Sequence, residues 1–319
     1  MKGRPLFISW SVRHGRSRDL AAALGAEAVY VGLWRRRIRW WAPFRYAWSA
    51  LVTAWILARK RPRAVFVMAP PLPLTVVAIV YARLARATVG IDAHTSAVLG
   101  IRSGQPRRGL HALARYASAT IVTNGLLAEV LADARAHLVV LHDAVKVVDG
   151  AAPCEPFTVV APLSWESDEP VELIFAAALA CPDVRFAATG RAPAELTADA
   201  PGNLDLTGFL SAEAFEELLG GAGVVLALTT REATMQRAGY EAMARGIPVI
   251  ASGTAVLREF FGDAARYADN AEQLAAAVAD VRGHQAVLAS AMVARRQVVV
   301  DDFDRALATL RALMRLSDP

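Results

Sequence analysis

Val224-Val-Leu-Ala-Leu228 runs into Thr229-Thr-Arg-Glu-Ala-Thr-Met-Gln-Arg-Ala-Gly-Tyr-Glu-Ala-Met-Ala-Arg-Gly-Ile-Pro-Val-Ile-Ala-Ser252. The first five residues are a short apolar run, the length and composition of a buried strand. A polar loop follows, then a helix starting near Arg237, and Gly246 with Pro248 stops that helix and returns the chain to a strand at Val249–Ala251. Strand, loop, helix and strand in this order make a parallel crossover unit. The helix start supplies unpaired N–H groups and a partial positive charge, a seat for a diphosphate. Glu241 lies just inside the helix, where a carboxylate can accept two hydrogen bonds from a vicinal diol.

The same alternation extends in both directions. Towards the C-terminus come a helix over 256–261, a strand at 265–267, and one or two amphipathic helices over 286–317. Upstream lie strands at 158–161, 184–188 and 204–206 with helices between them. A stretch with Gly150, Pro153 and Pro156 reads as a linker. Before it, strands at 6–12, 29–33, 64–68, 88–91, 119–122 and 139–141 again alternate with helices. The expectation is an α/β chain of two Rossmann-like domains facing across a cleft. Their boundaries are 1–148, a linker at 149–157, 158–285, and C-terminal helices at 286–319 bracing the domains. Ligands of such sheets sit at the carboxyl ends of the strands, so the loops after the strands carry the candidate site.

The chain has 319 residues, of which 55% are hydrophobic and 20% charged, enough apolar surface for large cores and no polar low-complexity tract. Cys154 and Cys181 are too few and too widely spaced for a disulfide framework or a zinc site. The net charge of +5 conceals a split: residues 1–120 hold 20 Lys and Arg against 3 acids, and the remainder holds 15 against 27. An anionic surface or polymer is the expected partner of the first half. Arg35, Arg36, Arg37 and Arg39 are interleaved with Trp34, Trp40 and Trp41, a mixture suited to the headgroup region of a membrane. A basic solvated face is the bland alternative, and nucleic acid is not expected, since no helix-turn-helix, finger or RNP pattern accompanies the charge. The apolar run at 64–82 is broken by Pro70, Pro71 and Pro73, which argues against a spanning helix. A cytoplasmic protein, peripheral on the inner face of the membrane, is expected.

The run Gly239 to Ser252, followed by Leu257-Arg-Glu259 and Ala265 to Asp269, resembles the donor-binding half of GT-B glycosyltransferases of the family 4 type, the glycosyl transferases group 1. That signature has two acids. The second matches Glu241, which the resemblance assigns to ribose hydroxyls. The first falls at Ala233, with Glu232 one place early, so the resemblance leaves Glu232, Thr234 or the amides of Met235, Gln236 and Arg237 to meet the sugar. The family's Arg and Lys after the first strand of this half have no counterpart in Ala161 to Pro170, and Arg191, Arg231 or Arg237 are the candidates to neutralise the diphosphate. Gly190 resembles the family's Gly-rich turn, and Phe209 and Leu210 the turn that reads the nucleobase. Ala238 completes the donor set at the helix start.

In the first half, Gly15 sits in His14-Gly-Arg-Ser17, where the resemblance places the acceptor-side Gly loop with its backbone N–H groups near the donor phosphate. Ala69 to Pro73 and Ile91-Asp-Ala-His94 resemble loops of mannosyltransferases acting on polyprenyl-linked glycans, which implies His94 against the transferred sugar and Asp92 as base or orienting group. The resemblance thus implies transfer of a sugar from a UDP- or GDP-sugar, a co-substrate beside which no cofactor is expected, to a hydroxyl of a lipid-linked saccharide or envelope glycan. Metal-independent transfer is expected, arginines and the Glu241 helix taking the ion's role. Two alternatives share the architecture: a nucleotide-sugar 2-epimerase, and a non-catalytic nucleotide-sugar-binding subunit.

Overall fold

The structure, a computed structural model, describes residues 3–11, 15–32, 41–100, 108–148 and 155–316. It divides into two compact units, Met1–Ala144 with Asp302–Pro319, and Val145–Asp301.

The first unit contains β1 (Leu6–Ser9), α1 (Gly15–Ala23), β2 (Glu27–Tyr30), α2 (Ala42–Lys60), β3 (Ala64–Ala69), α3 (Leu72–Ala85), β4 (Thr88–Ala93), α4 (Thr95–Val98), α5 (Arg108–Ala114), β5 (Ala119–Val122), α6 (Gly125–Val130) and β6 (Leu138–Val140). Its strands form one sheet in the order β2-β1-β3-β4-β5-β6, every pairing parallel. All six residues of β3 are buried, as a strand covered on both faces requires. Phe7, Phe66 and Ile121 fill the core with Leu310 and Met314 from the C-terminal segment.

The second unit contains β7 (Thr158–Ala161), α7 (Val171–Ala180), β8 (Arg185–Thr189), α8 (Ala194–Thr197), β9 (Leu204–Gly208), α9 (Ala212–Gly220), β10 (Val224–Ala227), α10 (Arg237–Arg245), β11 (Val249–Ala251), α11 (Ala255–Phe261) and β12 (Ala265–Tyr267). Its sheet runs β12-β11-β10-β7-β8-β9, again wholly parallel. Phe186, Ile174 and Val159 pack on one face, and Met243, Phe260 and Phe261 on the other.

Strand order reverses between β1 and β3 in the first sheet and between β7 and β10 in the second. At such a point the flanking loops part in opposite directions and open a crevice at the strands' carboxyl ends.

Some elements differ from expectation, and β1 stops at Ser9 rather than at residue 12. Strand β2 spans 27–30 rather than 29–33, because Glu27 N donates to Pro5 O at the sheet edge, where half-buried residues give no clean apolar run. The C-terminal helical stretch, α12 (Ala271–Leu313), is broken at His284, whose φ of −126° and ψ of 23° are not helical, so that its second part begins where the tail helices are expected. The part before the break is additional, and Asn270 caps it, accepting from Gln273 N at 2.9 Å. Residues 271–301 belong to the second unit and the remainder to the first. Six residues of the expected linker, 149–154, and the expected contacts Arg35, Arg36, Arg37, Arg39 and Trp40 lie outside the described residues; Trp41 is half exposed.

Candidate functional site

At the crevice of the first sheet, Asp92 closes β4, in register with Met68 and Ile121. Its carboxylate is 1% exposed, in a strand otherwise apolar at this end, so it requires a partner. Arg16, one residue into α1, supplies it: Nε donates to Asp92 Oδ1 at 3.0 Å, Nη1 to Asp143 at 2.5 Å, and Nη2 to Leu141 O at 2.9 Å. His94 Nε2 lies 3.3 Å from Asp92 Oδ2. Burial alone pushes the Asp92 acid up, but Arg16 and His94 together outweigh it and hold the carboxyl well below its ordinary range. The aspartate is therefore a fixed anion, placed to orient His94. Gly15 opens α1 directly before Arg16, while His14 lies outside the described residues.

His142 stands beside this cluster. Burial and the neighbouring Arg16 guanidinium push its imidazole down to about 4, against opposing contributions from Asp302, Asp143 and the backbone of Thr123. A histidine held neutral in the fold destabilises it once the unfolded chain begins to bind a proton. Its contribution is complete above the unfolded value of about 6.5 and is lost as pH falls from there towards 4. The expected loss over that interval is about 2 kcal/mol, allowing for the side chain's residual exposure. Urea unfolding at several pH values reads it, and His142→Asn flattens the slope.

In the second unit the loops after β7 and β10 are tied together at the crevice. Asp168, 6% exposed, accepts from Thr229 Oγ1 at 3.0 Å through Oδ2 and pairs with Arg231 Nη1 at 3.1 Å through Oδ1, while its carbonyl accepts from Thr230 N at 2.8 Å. Thr229 N in turn donates to Ser252 Oγ at 2.9 Å, adding the loop after β11. The β7 loop closes on itself through Glu169, which accepts from Ser164 N and Glu166 N. Gly190 seals the loop after β8: its φ is +82°, and a Cβ there would lie 2.2 Å from Leu163 O.

Helix α10 opens beside this lattice. Gln236 is its N-cap residue, with Nε2 donating to Leu228 O at 3.0 Å, and Arg237 and Ala238 are its first two residues. Glu241, half-buried, accepts from Arg237 Nε at 2.8 Å, one turn along the same face. Thr234 and Met235 are half-buried in the preceding loop, and Ala233 is buried. Glu232 is exposed and its carboxylate accepts from Ala255 N at 2.5 Å, at the first residue of α11. Arg191 is exposed, Leu210 half-buried, and Phe209 88% exposed, so its ring belongs to no core. One Asp-x-Asp triplet, Asp302-Phe-Asp304, falls inside α12 rather than in a strand-end loop, and Asp302 is paired with Arg305. Among the described residues no group of three or more His, Cys, Asp and Glu is arranged to hold a metal ion.

The strand order, the Gly-sealed turn and the α10 entrance all lie within one segment. Residues 159–284 match the family of glycosyl transferases group 1. Nothing among curated proteins matches the chain in sequence. Solved structures place this group 1 segment in a whole-chain likeness. HepE of Anabaena, in complex with UDP, superposes with a TM-score of 0.72 at 15% identity, covering 97% of this chain and all of its own. Sucrose-phosphate synthase from Thermosynechococcus elongatus gives 0.75 at 14% identity, with 98% of each chain covered. A candidate UDP-N-acetylglucosamine 2-epimerase from Listeria monocytogenes gives 0.67 at 13%, covering 100% of this chain and 98% of its own. The fold is the pair of Rossmann-like domains of GT-B glycosyltransferases.

Arg16 and Asp168, which organise the two crevices, escaped the sequence reading. The signal for Arg16 is Asp92 itself, an acid in a buried strand that demands a counter-ion, which comes from the end of β1, two places away in the sheet. Asp168 carries no local signal, because its partner Thr229 lies 61 positions away in the chain.

Proposed function

We propose that the chain is a glycosyltransferase that takes its sugar from a UDP-sugar bound at the carboxyl edge of the second sheet. The observation carrying this reading is the lattice at the β7/β10 crevice, where Asp168 holds Arg231 beside the start of α10. Arg231, Arg237 and the α10 N–H groups meet the diphosphate, and a carboxylate that serves Arg237 on one oxygen keeps the other for a ribose hydroxyl. The turn at Gly190, with exposed Arg191, and the Phe209-Leu210 turn take the remaining phosphate and the base. HepE binding UDP in the same fold supports uridine over guanosine.

The acceptor hydroxyl is assigned to the first unit, with Asp92 orienting His94 as the group nearest the reacting centre. Glu232, through its cap on α11, shapes the sugar side of the donor loop. The acceptor is a lipid-linked saccharide or envelope glycan, the protein acts peripherally at the cytoplasmic membrane face, and transfer proceeds without a metal ion. Epimerisation of a small soluble substrate would leave the basic, aromatic first half without a role.

The test is a melting-temperature panel of UDP, GDP, dTDP and their sugar conjugates on wild type and Glu241→Ala. UDP at 100 times its Kd adds about 2.7 kcal/mol. The variant loses most of that shift. If no nucleotide raises the melting temperature, the donor reading falls.

A further inference from the structure

Helix α2 is built inside out. Its row facing the sheet is Ser49, Thr53 and Leu57, all buried, with Thr53 Oγ1 accepting from Trp10 Nε1 at 2.9 Å. The opposite row is Phe44, Trp48, Leu51 and Trp55, spaced four, three and four residues apart and 57 to 67% exposed. At about 100° per residue the two rows are centred on opposite sides of the helix. Small hydroxyl-bearing residues thus face the protein and the largest apolar ones face outward. Helix α3, packed on α2, adds exposed Val76, Val80 and Leu84, the last of them 83% exposed. Scattered exposed apolar residues are ordinary, but a full row on one helix beside three more on its neighbour marks a docking surface.

We propose that this α2–α3 face docks on an anionic lipid bilayer, with the Trp and Leu row seated at the boundary between headgroups and acyl chains. Charge selects this occupant. Between Glu27 and Asp92 the sequence holds no acid and eleven Lys and Arg, among them Arg59, Lys60, Arg61 and Arg63 at the end of α2 and Arg83 and Arg86 at the end of α3. A second copy of the chain docked through the same face would set these cations against themselves. Lys60 is paired with Glu27, lipid phosphates neutralise the others instead, and indole rings favour the same depth. Among the described residues no helix is long and apolar enough to cross a membrane, so the mode is surface seating and not spanning. The docking rests on the lipid-linked acceptor reading for its purpose, since it would hold the first unit at the surface where such an acceptor is anchored.

The experiment uses the full chain with vesicles of phosphatidylcholine alone and of phosphatidylcholine with phosphatidylglycerol. Three readouts are taken: co-sedimentation, the blue shift of tryptophan emission, and quenching by brominated acyl chains. Wild type should sediment with the anionic vesicles and be quenched by them. Trp48→Ser/Leu51→Ser/Trp55→Ser should lower partitioning more than about a hundredfold. Val80→Ser/Leu84→Ser, on the other helix, should lower it by about tenfold, with circular dichroism verifying the fold of both. Absence of quenching in wild type overturns the proposal, as does equal binding by the triple variant. A dimer in wild type that the triple variant dissolves, with no response to vesicles, assigns the face to self-association and likewise overturns it. Vesicle binding without a UDP melting shift leaves the docking intact and counts against the donor reading alone.

Discussion

Arg16→Ala lowers the stability of the first unit by about 3–5 kcal/mol, seen as an earlier first transition in urea. Alanine removes a guanidinium that serves three partners at once: Asp92, Asp143 and Leu141 O. Asp143 is partly exposed and can turn to water, whereas Asp92 is buried and keeps only His94 beside it, without its permanent counter-charge. The sequence position of these groups explains the size of the effect. Arg16 follows β1, Asp92 ends β4 and Asp143 follows β6, so one side chain fastens three strand ends that are distant in the chain. Replacing both charges, as Arg16→Met with Asp92→Leu, should recover much of the loss, because an apolar pair carries no desolvation penalty. The sign of the pH dependence is fixed by the same pair. Asp92 has a depressed pKa, so its stabilisation is present above the unfolded value of about 3.9 and is lost as pH falls below it. In Arg16→Ala that acid limb weakens. An unchanged limb together with an unchanged first transition would show that Arg16 does not hold Asp92.

The twelve strands among the described residues were legible in the sequence because a parallel sheet buries both faces and each strand is then a short apolar run, as with Val224–Leu228 or Ala64–Met68. Edges and helix ends were less legible. Strand β2 is half exposed, so its boundary is set by hydrogen bonds to β1 and not by hydropathy. The Ala-rich stretch after Asn270 lacks a strong apolar period, and only its cap announces a helix. Helix α2 was legible as a helix, but its inverted faces were not, since apolar periodicity states that one side differs from the other and not which side faces the sheet. Sites followed the same division. The Glu241 helix and Gly190 turn could be found from local spacing. The Asp168–Thr229–Arg231 and Arg16–Asp92–Asp143 groups join residues 61 to 127 positions apart, and no local pattern encodes them.

Gly190→Ala and Gly208→Ala separate backbone freedom from close approach, two reasons for glycine that sequence cannot distinguish. Both residues have left-handed φ, +82° and +70° respectively. At Gly208 an added Cβ meets nothing within 4 Å, so alanine should cost only the conformational term, about 1 kcal/mol. At Gly190 the same Cβ falls 2.2 Å from Leu163 O and 3.0 Å from Trp165 Nε1. One of these belongs to backbone and cannot swing aside. The indole donates to Thr189 O at 3.0 Å, so moving it breaks the bond that joins the β7 and β8 loops. Conformational strain and overpacking together set the expected cost at about 3 kcal/mol or more, read in the urea transition of the second unit. Because the β7 loop carries Asp168, its displacement also frees Arg231, and the UDP melting shift should fall with stability in Gly190→Ala while surviving in Gly208→Ala. Equal costs at the two positions would show that the β7 loop yields to the added methyl, and a retained UDP shift in both would detach that loop from the donor site.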